Sequence, residues 1–189
     1  MGLLDEALSR LLIGRNRPPA SFNDVVEAFG DQPRHQNPNI ARELSGVDGP
    51  LPRKGSVARR GYDSALRRVN RWRTTAAERR RPSPAALAEL RAIARRRLAG
   101  DAAQRIAQRG AWMRLTAEIK VSQTWKTHTM PADAGGRPRF QHLPGAALGP
   151  AITAWMDGDL DGAGALLLRV FFDEYWGDPE PIIRVELRE

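Results

Sequence analysis

The chain contains no cysteine. That removes disulfide frameworks, thiolate zinc sites and a cysteine nucleophile together, and it fits a reducing compartment. No apolar run approaches the roughly 18 residues that mark a membrane-spanning helix, so no membrane partner is expected. Lysine is almost missing: of 30 Lys and Arg, only Lys54, Lys120 and Lys126 are lysine. The cationic work therefore falls to guanidinium groups, which grip phosphate in two-pronged geometry where an ammonium acts as a point charge. His35, His128 and His142 lack metal-ligand spacing, so neither a metal nor a cofactor is expected. No P-loop, no G-x-S-x-G and no H-E-x-x-H occurs. The chain does not read as a self-sufficient enzyme. MGLLDEALSRLLIG has no basic n-region and no myristoylation pattern, so it reads neither as a secretory signal nor as a lipid anchor. A cytoplasmic, nucleoid-associated location is expected.

What is present is charge, unevenly spread. From Arg53 to Arg109 there are 17 Arg and Lys against four Asp and Glu. From Leu143 to Glu189 there are three Arg against nine Asp and Glu. A surface that displaces counterions from a phosphate backbone needs the first composition and not the second. DNA is the expected partner, held by the N-terminal part.

Periodicity divides the chain at Gly110. Before it the apolar spacing is helical. Leu4, Leu8, Leu11 and Leu12 predict a helix over 3–13, closed by Gly14. Ser21 caps a second helix ending near Gly30. Residues 31–38 read as loop, NIARELSG (39–46) as a compact helix, and 47–56 as irregular. Residues 57–73 form a basic helix with Ala65, Val69 and Trp72 on one face. Ser83 and Pro84 start another, interrupted at Gly100-Asp101 and resuming to Gln108. After Gly110 the period becomes two, and Met113, Leu115, Ala117, Ile119 and Val121 alternate with polar residues as a half-buried strand. Residues 127–138 read as a long loop, RFQHL as a second strand, 150–156 and 162–175 as helices, and 182–187 as a last strand. The expected class is α+β: a helical, helix-turn-helix-like DNA-binding region over 1–109, then a small β-β-α-α-β domain over 110–189.

The basic helix suggests how DNA is met. Arg67 and Arg71 share a face, Arg68 lies on the neighbouring row, and Arg59, Arg60 and Arg73 flank them. In a helix-turn-helix the second helix enters the major groove. The triplets Arg79, Arg80, Arg81 and Arg95, Arg96, Arg97 read as phosphate contacts rather than base readers. Trp72 suits either base stacking or the core. Asp157, Asp159 and Asp161 begin like a calcium loop, but the closing position is Leu168, so they read as a helix-capping turn. Ser122, Thr124, Thr127 and Thr129 put hydroxyls at the end of the first strand and just beyond it.

MGLLDEALSRLL, IARELSG, SALRRVNRW, the Arg-rich 79–97 stretch, LTAEIKV, HLP at His142–Pro144, VFFDEYW and IIRVEL together resemble the terminal proteins of Streptomyces linear chromosomes and linear plasmids. The departure is an insertion at 47–58, between the two helices of the presumptive motif. The resemblance implies a DNA-binding protein that caps linear replicon ends. It implies that a Thr hydroxyl becomes covalently linked to the DNA 5′ end while priming synthesis, with Thr129 nearest the corresponding position and Thr127 next. Implied partners are replicon-end DNA with a single-stranded overhang, a DNA polymerase and a telomere-associated DNA-binding protein, with self-association a further expectation. A second reading stands beside it: a transcriptional or plasmid-replication regulator with a C-terminal dimerisation domain. A third is a structural protein of a mobile element.

Overall fold

The computed structural model describes residues 2–30, 33–73, 81–121, 124–172 and 182–189, with the side chains of all but 33–35, 119–121 and 125. It is a mixed α+β protein, mostly helical, with one small antiparallel sheet. The order is α1 (Leu3–Ile13), α2 (Phe22–Glu27), α3 (Pro33–Ser45), α4 (Val57–Arg73), α5 (Pro84–Arg109), β1 (Ala111–Val121), β2 (Thr124–Met130), β3 (Gln141–Leu143), α6 (Gly145–Asp157), α7 (Leu160–Phe172) and β4 (Ile182–Arg188).

Contacts divide these elements into two compact units: Met1–Pro18 with Leu98–Glu189, and Pro19–Arg97. The boundary expected at residue 110 from the change of period lies elsewhere. Helix α1 presents Ala7, Leu8 and Leu12 to the core of the sheet-containing unit, beside Ala99, Ala102 and Ile106 of α5. An amphipathic helix declares that it has an apolar stripe, not which surface will cover it. Asp5 shows how firmly α1 is tied in: it is 3% exposed and accepts a 2.9 Å hydrogen bond from the indole N–H of the fully buried Trp155.

In the sheet-containing unit β1 is the central strand. Trp112 and Met113 pair with both β3 and β4, while Leu115, Thr116 and Ala117 pair with both β2 and β4. A strand has only two edges. Strands β2 and β3 therefore lie on one edge as an interrupted return, and β4 lies on the other. Ala111, Met113, Leu115 and Ala117 of β1 and Val185 of β4 are buried with α6 and α7, on one face of the sheet. Gly158 ends α6 in the left-handed conformation, and of the three aspartates Asp159 caps α7, its Oδ1 accepting the Gly162 N–H at 2.9 Å.

In the other unit, Ala41, Val47, Tyr62 and Ala65 form a small core between α3 and α4. Polar contacts extend it. Asn37 donates to Asn70 at 2.7 Å, and Arg73 donates to Gln36 and Asn37 at 2.9 and 2.8 Å. The start of α3 thus meets the end of α4, so the two run antiparallel.

Four local readings change. Helix α3 begins at Pro33 and passes through Pro38, where a loop was expected; Gln36 and Asn37 gain partners in Gly30 and α4 only when that turn is helical. Helix α5 continues through Gly100, because one glycine costs about 1 kcal/mol and Ala99, Ala102 and Ile106 on either side are buried. Helix α6 begins at Gly145 and carries Pro150 within it. Residues 124–130 form a strand, β2, so the order after Gly110 is β-β-β-α-α-β.

Candidate nucleic-acid interface

Helix α4 turns Tyr62, Ala65 and Val69 inward, each 4% exposed or less. The spacing places Arg60, Arg67, Arg68 and Arg71 away from that stripe, and all four are exposed. Of these, Arg60 donates to the Gly55 carbonyl at 3.1 Å and so is anchored at the helix start. Arg59 behaves differently. It is half-buried, donates to Asp63 at 3.0 Å, and lies 5.5 Å from the Tyr62 ring centre. Its charge is spent within the helix. Arg73 is exposed but held in place by Gln36 and Asn37.

The expected phosphate contacts on α5 separate. Arg95 is 5% exposed, buried along with Ala92, Ile93 and Ala94, and so is withdrawn from the surface. A charged residue inside a basic triplet gives no sign in the sequence of which way it faces. Arg96 is exposed, and Arg97 is exposed with its guanidinium 4.9 Å from the Phe29 ring centre. Arg81 is exposed. Arg79 and Arg80 lie outside the described residues. Trp72 is half-buried and packs edge-on against Phe22, centroids 6.0 Å apart at 80°.

The hydroxyls expected in a loop stand on strand β2. Thr129 lies opposite Thr116 and Thr127 opposite Glu118. β-Branched threonine at alternate positions beside a long strand pairs readily, and the pairing outweighs the turn signals that follow it. Thr129 is half-buried, with Oγ1 3.0 Å from Oγ1 of Thr116. Thr127 is exposed, and the carboxylate-bearing Glu118 is its directly paired neighbour. Ser122 lies outside the described residues.

Both threonines share the outer face of the sheet with Arg114, Arg184, Arg188 and Glu186. Arg114 and Arg184 both reach Glu186, the latter at 2.6 Å. The Phe140 ring lies between Arg114 and Arg188, at 4.6 and 3.8 Å. Trp112, 40% exposed, meets His142 at 5.0 Å. The segment between β2 and β3 is organised around Asp133, which accepts the Arg137 and Gly135 N–H groups at 2.9 Å each and Arg139 at 3.1 Å. The Arg137 N–H, then the Gly135 N–H and the Arg139 guanidinium, hold the Asp133 carboxyl below its ordinary range. The exposed tip is therefore a defined turn.

Sequence reasoning did not single out Glu118, Phe22 or Arg91. Glu118 became visible only once β2 was a strand. Arg91 and Phe22 matter only through elements that the fold brings together. Among the described residues no group of three or more His, Asp or Glu could hold a metal ion, and no helix is long and apolar enough to cross a membrane. No protein-family model, no curated protein and no solved structure matches this chain.

Proposed function

We propose that this chain is a DNA-binding terminal protein of linear replicons, which holds duplex DNA on α4 and offers a threonine hydroxyl as the primer for DNA synthesis. The observation that carries the DNA-binding part is the exposed set Arg60, Arg67, Arg68 and Arg71 on a helix whose opposite stripe is buried. In this reading α4 serves as the recognition helix of a helix-turn-helix-like pair and α3 as its support. The connector over 46–56 replaces the three- or four-residue turn of the ordinary motif.

The priming part rests on the sequence resemblance and on chemistry. A threonine hydroxyl is a poor nucleophile at neutral pH and needs a base or a metal. Thr127 is exposed and lies across the ladder from Glu118; in this reading Glu118 takes its proton, and the polymerase contributes the metals that activate the incoming nucleotide. Thr129, nearer the position implied by the resemblance, is half-buried and engaged with Thr116. Thr127 is accordingly the preferred acceptor and Thr129 the alternative.

The test is incubation with labelled deoxynucleotides, template and a host extract, followed by denaturing electrophoresis. Wild type should carry label through boiling in detergent. Thr127→Ala should abolish labelling and Thr129→Ala should reduce it modestly, both with DNA affinity unchanged. Normal labelling of the double variant would remove β2 from the mechanism.

One observation favours the regulator reading: the Thr129 hydroxyl is satisfied inside the sheet, as it would be in a domain with only a structural role. An operator footprint without covalent linkage would establish that reading instead.

A further inference from the structure

Within the Pro19–Arg97 unit, α2, the start of α3, the end of α4 and the first half of α5 enclose a cleft of about 1020 Å³. That is at the upper end for small-molecule sites, which run from roughly 300 to 1,000 Å³. Its wall combines two chemistries that rarely meet by accident. One is aromatic: Trp72 with Phe22 edge-on against it. The other is cationic: Arg73, Arg81 and Arg91 all line the space, with Glu27 the single acidic residue among the described lining groups.

The guanidiniums are not equally placed. Arg73 is fixed by Gln36, which is 7% exposed and donates in turn to the Gly30 carbonyl. Arg91 donates from Nη2 to the Ala20 carbonyl, while its Nε is buried with no hydrogen-bond partner among the described residues. A buried charged donor left unmatched is costly unless a ligand completes it. Arg81, at the rim, is exposed.

We propose that this cleft binds a nucleoside 5′-phosphate, with the base against Trp72 and the phosphate among Arg91, Arg81 and Arg73. A planar ring beside an anion is what an aromatic wall and three guanidiniums together select. Stacking on an aromatic side chain tolerates any base, whereas the arginines demand the phosphate. The ligand is either a free nucleotide or an unpaired nucleotide of a single strand. The cleft takes Trp72 and Arg73 from the end of α4 but neither Arg67, Arg68 nor Arg71.

The experiment titrates the full chain with deoxyadenosine monophosphate, deoxyadenosine, inorganic phosphate and a short single-stranded oligonucleotide, by calorimetry. The monophosphate should bind measurably more tightly than either the nucleoside or phosphate alone. Arg91→Gln should weaken it about tenfold to a hundredfold, the range expected for a lost hydrogen bond to a charged group. Arg81→Gln, at an exposed position, should weaken it as well and guards against a folding defect in the first variant. Duplex affinity should be unchanged by Arg91→Gln. Tighter binding of the oligonucleotide than of the monophosphate identifies a single strand as the source; the reverse identifies a free nucleotide. Equal binding of monophosphate and phosphate, or insensitivity to both substitutions, overturns the proposal. Retained duplex binding in that event would leave the function proposed above standing.

Discussion

Replacing Arg67, Arg68 and Arg71 together with alanine should weaken duplex DNA binding by about three orders of magnitude or more at moderate salt, since each hydrogen bond to a charged group contributes on the order of 1.5–3 kcal/mol. The salt dependence should flatten as well. Each phosphate contact contributes roughly 0.9 to the slope of log affinity against log salt, so three lost contacts should remove about 2.7. The fold should be retained, because substitutions at exposed positions usually change stability by less than about 0.5 kcal/mol. These side chains are exposed, opposite the Tyr62, Ala65 and Val69 stripe. Arg59→Ala should do the reverse: it should disturb the helix through Asp63 and Tyr62 and leave the salt slope as it is. An unchanged slope in the triple variant would take α4 off the DNA.

A fragment spanning residues 110–189 should fail to fold. It contains the whole sheet, α6 and α7, yet its core is completed by α1 and by the second half of α5. Ala7, Leu8, Leu12, Ala99, Ala102 and Ile106 are all buried in that core. Removing a single buried Leu or Ile side chain costs about 2–5 kcal/mol, and a domain of this size has only about 5–15 kcal/mol in total. Losing three such side chains along with their backbone exceeds what is available. The fragment should show no cooperative thermal transition. A chain in which residues 19–97 are replaced by a short Gly/Ser linker, joining 1–18 to 98–189, should recover one. Cooperative melting of the 110–189 fragment would mean that α1 is an accessory to this unit rather than part of it.

Much of this architecture could be read from the residues. Helices α1 and α4 were legible from apolar spacing, because each has one clean stripe, and α1 also from its end signal, Gly14 in the left-handed conformation. Strand β1 was legible from strict alternation, and the last helix and last strand from their apolar content. The membership of α1 in the sheet-containing unit was not. An amphipathic stripe fits any apolar surface, and nothing between residues 14 and 97 marks that the chain leaves one unit and returns to it. Strand β2 was missed because THTMPADAGG carries turn residues directly after its threonines. The pairing partner that makes those threonines a strand sits about a dozen residues earlier, in β1.

The site was legible in part. That arginines on α4 face outward followed from the helical period. That Arg95 is buried while Arg96 is exposed did not, because a side chain's direction within a charged triplet depends on the packing of α5. The cleft around Trp72 could not be read at all: its lining comes from residues 20 through 91, and only the packing of α2, α3, α4 and α5 brings them together.

The most direct test of the proposed function is a peptide map of the chain after incubation with a single deoxynucleotide, template and host extract. Cleavage after Lys126 and Arg139 releases Thr127–Arg139, whose only hydroxyl-bearing residues are Thr127 and Thr129. The proposed function predicts that the Thr hydroxyl displaces pyrophosphate from the deoxynucleoside triphosphate, so that this peptide, and no other, gains the mass of one nucleoside monophosphate less one water, with fragmentation placing it on Thr127. An unmodified peptide, in an extract that demonstrably replicates linear ends, would contradict it.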